Sequence, residues 1–322
     1  MRLSVLLLLA AGCFAQQSHD MAHMHMAPIA LQVQNDDAAH VITLRLGPLN
    51  LPAHAEHSAI TQPAPVFFEI PFDGWITAYH PRLTDAGGSV IPGRLLHHVA
   101  FYNTARPDFL CANKDEHIFG AGGEMNDWPA TPGFGYRVEK GDRIRITSMF
   151  HNPTDTAYED AYLEVKIEYQ PSGGTELHSV YPAWIDVKEC GRSDYDLQPG
   201  QNVTSGTTKI DFNGVLIGVG GHMHDYGREL VLNNETTHQV VAKLDSTLDA
   251  KGHIVSMPIV RFDDRGGYHL KKGDNLKVTA TYDNTSGHEL PSGAMGIVVG
   301  YFLPDDPAQM TALHKSPSPA GK

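Results

Sequence analysis

Two stretches of the sequence align with each other without gaps. The first is YRVEKGDRIRITSMFHN, residues 136–152, and the second is YHLKKGDNLKVTATYDN, residues 268–284. Each begins with an aromatic strand end, passes through a Lys-Gly-Asp turn into an alternating strand, and closes on an asparagine. This internal repeat predicts a tandem pair of related domains.

Short alternating apolar runs, separated by Gly, Pro, Asn and Asp, extend over both halves of the chain. They include VITLRL, VFFEI, WITAYH and YLEVKIEY in the first half, and VLIGVGG, HQVVAKL and GIVVGYF in the second. Helical periodicity is weak, and the pattern is typical of antiparallel β-sandwiches. We therefore predict an all-β fold with domains at residues 41–172 and 177–305. The linker PSGGTE, Pro171 to Glu176, separates them.

The chain begins MRLSVLLLLAAGCFAQQ, in which a basic residue, an apolar run and small residues predict a signal peptide over residues 1–15 and export. An alternative is a degenerate lipobox, AAGC, which would anchor the protein through a lipid on Cys13. This lipobox lacks the leucine that usually stands three residues before the cysteine, so ordinary cleavage is favoured. No later stretch is long and apolar enough to span a bilayer. Residues 16–40, which open on a Met/His-rich segment, and residues 306–322 are predicted to be flexible.

Charge and cysteine content narrow the function further. The formal net charge is -13 without a basic cluster, which argues against a nucleic-acid partner. If Cys13 leaves with the signal, Cys111 and Cys190 remain, and one disulfide is possible after export. Whether they pair stays open, because they lie in different halves. The 19 histidines point to metal binding, since histidine is the commonest metal-binding side chain.

The clearest local motif is GVGGHMHDYGREL, residues 218–230. His222 and His224 are two residues apart in a strand-like context, so both rings project from one face. Two such imidazoles suit copper or zinc. The alternative is a pair of surface histidines on an exposed edge.

The stretch GRLLHHVAFYN is less clear, because His97 and His98 are adjacent and a regular strand would point them to opposite faces. One would then be a core histidine and the other a solvated one. A bulge or a strand end could re-aim a ring. His151, in SMFHNPTD, closes a strand, where it is either solvated or a third ligand for this pair.

Met295, in LPSGAMGIVVGYF, opens the last strand. A methionine there fits core packing, but with two imidazoles its thioether would select copper, Cu(I) in particular.

The nearby carboxylates Asp225, Glu229 and Asp283 either hold imidazole tautomers or are surface charges. The Met/His-rich segment either scavenges copper or is an ordinary leader. The sequence has neither G-x-S-x-G nor H-E-x-x-H.

Taken in their order along the chain, the motifs resemble those of the type II copper, ascorbate-dependent monooxygenases. This family includes the peptidylglycine α-hydroxylating and dopamine β-hydroxylating enzymes. The matching stretches are LLHHVAFYN, PGFGYRVEKGDRIRITSMFHNP, GGHMHDYGREL and ELPSGAMGIVVGYF, within residues 60–305. The resemblance implies two jelly-roll-like β-sandwich domains that face each other across a solvent-filled cleft. It implies one copper ion in each domain.

The resemblance also implies the ligands and the chemistry. One copper would bind an all-histidine site, formed by His97, His98 and His151. The other would bind a His-His-Met site, formed by His222, His224 and Met295. Ascorbate or a similar reductant would reduce both. The second copper would bind O2 and abstract hydrogen from a substrate C–H bond, while the first supplies an electron. A bulge or twist at His97–His98 is then required, so that both rings face His151.

Several positions depart from the peptide-amidating members. Gly220 stands where they have an arginine, and Ile297 and Val299 stand where an asparagine and a tyrosine hold the substrate carboxylate. Met149 stands where those members often have a glutamine. These differences favour a less charged, small organic substrate.

The sequence therefore predicts an exported dicopper monooxygenase that hydroxylates a small organic molecule with O2. The alternative is a non-catalytic copper-binding or copper-handling protein on the same fold. The substrate, the reductant and the oligomeric state are left open.

Overall fold

Each of the alternating apolar runs forms a β-strand in the computed structural model, which describes residues 28–124 and 127–314. The prediction of an all-β fold built of antiparallel sheets is confirmed. The jelly-roll detail stays a prediction.

The N-terminal half contributes ten strands among the described residues and two short 3-10 turns. The strands are β1 (Ala30–Asp36), β2 (Val41–Leu51), β3 (Val66–Glu69), β4 (Gly74–Thr84), β5 (Val90–Ile91), β6 (Leu96–Pro107), β7 (Asp115–Gly122), β8 (Phe134–Val138), β9 (Arg143–Phe150) and β10 (Tyr158–Pro171). The turns are η1 (His57–Ala59) and η2 (Gly93–Leu95).

The C-terminal half continues with shorter and more numerous strands, one further 3-10 turn and a terminal helix. The strands are β11 (His178–Ser179), β12 (Tyr181–Asp186), β13 (Tyr195–Leu197), β14 (Gly200–Lys209), β15 (Gly214–Met223), β16 (Gly227–Asn234), β17 (Gln239–Asp245), β18 (Thr247–Leu248), β19 (Ile254–Ser256), β20 (Val260–Arg261), β21 (Tyr268–Leu270), β22 (Asn275–Asn284), β23 (Leu290–Ala294) and β24 (Gly296–Pro304). The others are η3 (Asp263–Arg265) and α1 (Pro307–His314).

The two halves have the same strand order. In the N-terminal half one sheet runs β2-β10-β4-β8, with β1 and β11 at its ends, and the other runs β3-β9-β6-β7. In the C-terminal half the corresponding sheets run β12-β24-β15, with β21 beside β15, and β14-β22-β16-β17. Strand β4 thus corresponds to β15, β6 to β16 and β9 to β22. Apolar side chains from both sheets form a buried cluster in each half.

The repeated Lys-Gly-Asp turn makes the same hydrogen bonds in both halves. Asp142 accepts a hydrogen bond from the side-chain amide of Asn103 at 2.9 Å, and Asp274 accepts one from the side-chain amide of Asn234 at 3.0 Å. The glycine before each aspartate has a φ near 90° (92° and 98°), in the left-handed region that favours glycine. The motif is therefore repeated because it specifies a turn.

Strand β15 is buried along its whole length, and its neighbour β24 is also mostly buried. One face packs on the C-terminal core, where a Cβ at Gly221 would lie 2.7 Å from Met257. The other face meets the N-terminal half, where a Cβ at Gly220 would lie 3.0 Å from Trp128. Burial on both faces explains why VLIGVGG is continuously apolar instead of alternating. The interface between the halves thus runs along β15.

A disulfide between Cys111 and Cys190 joins the two halves. The loop between β6 and β7 carries Cys111, and on the same loop Phe109 stacks on Phe302 of the C-terminal core at 5.4 Å. The pairing that the sequence left open is therefore made, because this loop inserts into the other half.

Three described elements lie across the boundaries predicted for the leader, the tail and the second domain. Strand β1 lies within the predicted flexible leader, residues 16–40. It is an edge strand with mostly exposed side chains, although Leu31 and Val33 alternate with Gln32 and Gln34. Helix α1 lies within the predicted tail, residues 306–322, and is held by the buried Met310. His178 and Ser179, assigned to the second domain, pair with β8 of the first.

The predicted signal peptide, the Cys13 lipid site and residues 16–27, which hold every Met and His of the Met/His-rich segment, lie outside the described residues. Among the described ranges, no helix combines the length and apolar character needed to cross a bilayer.

Candidate metal centre

Strand β6 contains a bulge at His97. Leu96 pairs with Phe150 on β9, and His98 pairs with the adjacent Met149, so His97 is an extra residue without an opposite partner. A bulge changes the direction of its side chain. The ring centroids of His97 and His98 lie 5.2 Å apart. The predicted departure from a regular strand is confirmed.

His151 follows the last residue of β9 and lies beside this bulge. Its backbone N–H donates to the Leu95 carbonyl at 3.1 Å, which fixes the chain as it leaves the strand. Its ring centroid lies 5.2 Å from that of His97. The structure therefore brings together the three histidines of the first predicted set.

His222 and His224 lie at the end of β15 and are both buried, with 8% and 5% of their surface exposed. Their ring centroids are 5.3 Å apart. The ring of His222 occupies space left by Gly122 on β7, where a Cβ would lie 2.5 Å from His222 Cε1. These residues are interface residues, so the alternative of two surface histidines on an exposed edge is wrong.

The two predicted sets form one cluster. The ring of His224 lies 4.1 Å from that of His97 and is parallel to that of His98, at an angle of 3° and a distance of 6.4 Å. One nitrogen from each of His97, His98 and His224 lies within 4.8 Å of the other two. The resemblance implied two sites separated by a solvent-filled cleft. In this structure the histidines instead meet between the halves.

Met295 is tied to the cluster through its backbone. The Tyr282 hydroxyl accepts the backbone N–H of His224 at 3.0 Å and that of Met295 at 3.1 Å, and it donates to the Met295 carbonyl. The side chain of Met295 is buried. Tyr282 thus holds together the two chain segments of the predicted His-His-Met set.

Burial keeps most of these imidazoles neutral. It lowers the pKa of His97 to about 2, and the neighbouring His98 and His151 rings add to the shift. It lowers the pKa of His98 to about 4, and the pKa of His224 falls well below its usual value. A neutral imidazole offers the lone pair that a metal ion requires.

His222 differs from its neighbours because a carboxylate faces it. Burial opposes its charged form, but Glu124 raises the pKa of His222 overall. Oε1 of Glu124 lies 2.8 Å from His222 Nδ1. Sequence analysis missed Glu124, because neither acidic residue of AGGEMNDW, Glu124 or Asp127, has a spacing that links it to a histidine on another strand.

The donor set fits a metal ion that favours imidazole. Within the described residues, four buried nitrogens of the cluster have no hydrogen-bond partner: His98 Nδ1, His222 Nε2, His224 Nδ1 and His224 Nε2. Buried polar atoms are usually satisfied, so this concentration requires an explanation. Coordination would satisfy one nitrogen of each of these three rings, and imidazole suits copper, zinc, iron and nickel.

A cavity of about 640 Å³ opens beside the cluster and is lined by His97, His151 and His224. Apolar side chains cover part of its wall, among them Leu96, Met223, Ile254 and Leu290. This volume suits a small organic ligand.

Acidic side chains outnumber arginine and lysine side chains in the cavity wall. Glu56, Asp225 and Glu289 line it, and the basic Arg94 is paired with Asp249 at 3.4 Å. Of the three carboxylates that the sequence placed near the metal motifs, only Asp225 reaches this cavity among the described lining residues. The other two form ion pairs elsewhere, Glu229 with Lys243 and Asp283 with Arg228.

The chain is similar to fungal proteins named as probable copper-dependent oxygenases. It is 28% identical over 203 residues to "Probable copper-dependent oxygenase M1" of Phoma sp. (strain ATCC 20986 / MF5453), a match that covers 60% of this chain and 52% of that protein. It is 28% identical over 233 residues to "Probable copper-dependent oxygenase clz3" of Cochliobolus lunatus, covering 66% of this chain and 72% of that one. The chain thus spans about half the length of the M1 protein.

No protein-family model matches the chain. Among solved structures, a chain of the Sputnik virophage aligns over 92% of this chain with a TM-score of 0.27 and 8% identity. That similarity is too low to indicate a shared fold.

Proposed function

We propose that this protein is a copper-dependent oxygenase whose metal is held between its two halves. The observation that carries the proposal is the convergence of His97, His98 and His224, whose nitrogens lie within 4.8 Å of one another. The names of the two fungal relatives support copper as the metal. Neutral, unpartnered imidazoles support it chemically, since copper accepts nitrogen ligands in either oxidation state.

Two more histidines and a methionine would complete the donor set. His151 and His222 adjoin the three converging rings, and Met295 shares the Tyr282 hydroxyl with His224. Six donors are enough for two copper ions, although the three that converge, His97, His98 and His224, come from both sets that the motifs predict. When bound, copper supplies the one-electron and O2 chemistry that side chains lack.

The cavity would hold the substrate against the cluster. Its apolar residues would bind a hydrocarbon skeleton, and their burial would keep water from the reacting bond. The finer proposal is hydroxylation of a C–H bond: R–H, O2, two electrons and two protons yield R–OH and water. A one-electron donor such as ascorbate would supply the electrons.

The charge of the cavity disfavours an anionic substrate. Glu56, Asp225 and Glu289 would repel a carboxylate, and the pairing of Arg94 with Asp249 leaves that cation less able to hold one. The departures at Gly220, Ile297 and Val299 from the peptide-amidating enzymes support the same conclusion.

We further propose that the protein is exported. The disulfide between Cys111 and Cys190 supports this location, because such bonds form and persist outside the reducing cytosol.

The test is reconstitution with Cu(II), determination of bound copper per chain, and measurement of ascorbate-driven O2 consumption with a panel of neutral small molecules. The proposal expects bound copper and incorporation of ¹⁸O from ¹⁸O2 into product. His224→Ala should lose both. A matched control, His54→Ala, removes an exposed histidine paired with Asp155 and should lose neither. Copper binding without turnover across the panel would favour the copper-handling alternative.

A further inference from the structure

Glu124 is a buried carboxylate at the interface between the halves. It lies in the turn after β7, and its side chain is 0% exposed. Oε1 accepts the backbone N–H of Gly122 at 3.0 Å and lies 2.8 Å from His222 Nδ1. A carboxylate has no hydrogen to donate, so Nδ1 is the donor in this pair.

We propose that Glu124 is a positioning residue that fixes the tautomer and the orientation of His222. With Nδ1–H donated to Glu124, a neutral ring carries its lone pair on Nε2. Nε2 is a buried cluster atom without a hydrogen-bond partner. Metal-binding histidines commonly donate their second nitrogen to such a carboxylate, which raises ligand basicity. The identity of the metal rests on the proposed function, whereas the tautomer does not.

The packing around the pair restricts rotation of the ring. Gly122 leaves room for the imidazole, since a Cβ there would lie 2.5 Å from His222 Cε1 and 2.7 Å from Glu124 Oε2. The same residue donates its N–H to Glu124. One short stretch of β7 therefore sets both the position of the carboxylate and the space for the ring.

The pair also crosses the interface. Glu124 belongs to the N-terminal half and His222 to the C-terminal half, on β15. His222 therefore has its partner only when the halves are packed together. Through Glu124, the N-terminal half controls a donor atom that the C-terminal half contributes.

The first experiment uses the metal-free protein and its Glu124→Gln variant. Long-range ¹H–¹⁵N NMR correlations, recorded at a pH where the imidazole is neutral, report which nitrogen of His222 carries the proton. We expect only the Nδ1–H tautomer in the original protein. Glu124→Gln should show a mixture, because an amide can donate as well as accept. A predominant Nε2–H form in the original protein, or an unchanged tautomer in the variant, would overturn the inference.

The second experiment measures the dissociation constant for Cu(II) by competition with a chelator of known affinity. Loss of a carboxylate partner typically weakens metal binding about 10- to 100-fold, which is the expectation for Glu124→Gln. Glu116→Gln is the matched control, since Glu116 is a buried carboxylate on β7, the strand that precedes Glu124, and accepts a hydrogen bond from the Tyr136 hydroxyl at 2.5 Å. An equal loss in both variants would indicate general loosening and refute the role of Glu124.

The two readouts separate the two proposals. If the original protein binds no copper, the proposed function fails, and the NMR tautomer still decides the role of Glu124. If it binds copper and Glu124→Gln binds within twofold as tightly, the function stands and the positioning role is refuted.

Discussion

The imidazole rings of His97 and His224 lie 4.1 Å apart, although the two residues belong to different halves of the chain. His97 reaches this position because it is the extra residue of a bulge in β6. His224 reaches it because β15 is packed against the N-terminal half. A metal ion bound by both rings would stabilise the packed arrangement of the halves, since binding to the native state alone adds to its stability.

Removal of one converging imidazole should weaken copper binding. His98→Ala deletes one of the three donors whose nitrogens lie within 4.8 Å of one another. We expect the dissociation constant for Cu(II) to rise at least tenfold, because the loss of a metal ligand weakens binding more than the loss of a residue that only hydrogen-bonds to a ligand. Competition with a chelator measures it. His54→Ala, at an exposed position, should leave the constant unchanged, and an equal effect of both would contradict a site at the cluster.

The sequence predicted the fold and several details of the site. The all-β architecture followed from alternation, and the bulge at His97–His98 followed from the family resemblance, which requires both adjacent rings on one side. The meeting of both histidine sets could not be predicted. His97 and His98 lie on β6, whose counterpart in the repeat is β16, whereas His222 and His224 lie on or beside β15, whose counterpart is β4. Because the pairs occupy non-equivalent strands, the repeat gives no rule for their relative position.

Gly122→Ala should destabilise the protein and disturb His222. The added Cβ would lie 2.5 Å from His222 Cε1 and 2.7 Å from Glu124 Oε2, so both side chains must move. Overpacking of this kind costs about 1–3 kcal/mol. Chemical denaturation measures the loss in the free energy of unfolding. Gly174→Ala, where the added Cβ meets nothing within 4 Å, should change it little. Equal stability of the two variants would contradict the tight packing at Gly122.

The metal-free protein should lose stability as the pH falls below about 6.5, the usual pKa of histidine. Burial lowers the pKa of His97 to about 2 and that of His98 to about 4, so below 6.5 the unfolded chain binds protons that the folded protein does not. Stability is therefore fully present above 6.5 and falls toward pH 4 by about 1.4 kcal/mol per pH unit for each such histidine. Urea denaturation at pH 7.5, 6.0 and 5.0 measures the slope. His98→Gln should reduce it, and an unchanged slope would show that His98 does not titrate this way.

Loss of the disulfide should weaken the connection between the halves. Cys111 and Cys190 are 79 residues apart in sequence, and their bond closes a long loop in the unfolded chain. We expect Cys111→Ala with Cys190→Ala to lower the free energy of unfolding by about 2–4 kcal/mol, because a cross-link restricts the unfolded ensemble. Denaturation of the double variant is compared with that of the original protein under oxidising and reducing conditions. The reductant should destabilise only the original protein, and destabilisation of the variant by the reductant would show an effect unrelated to this bond.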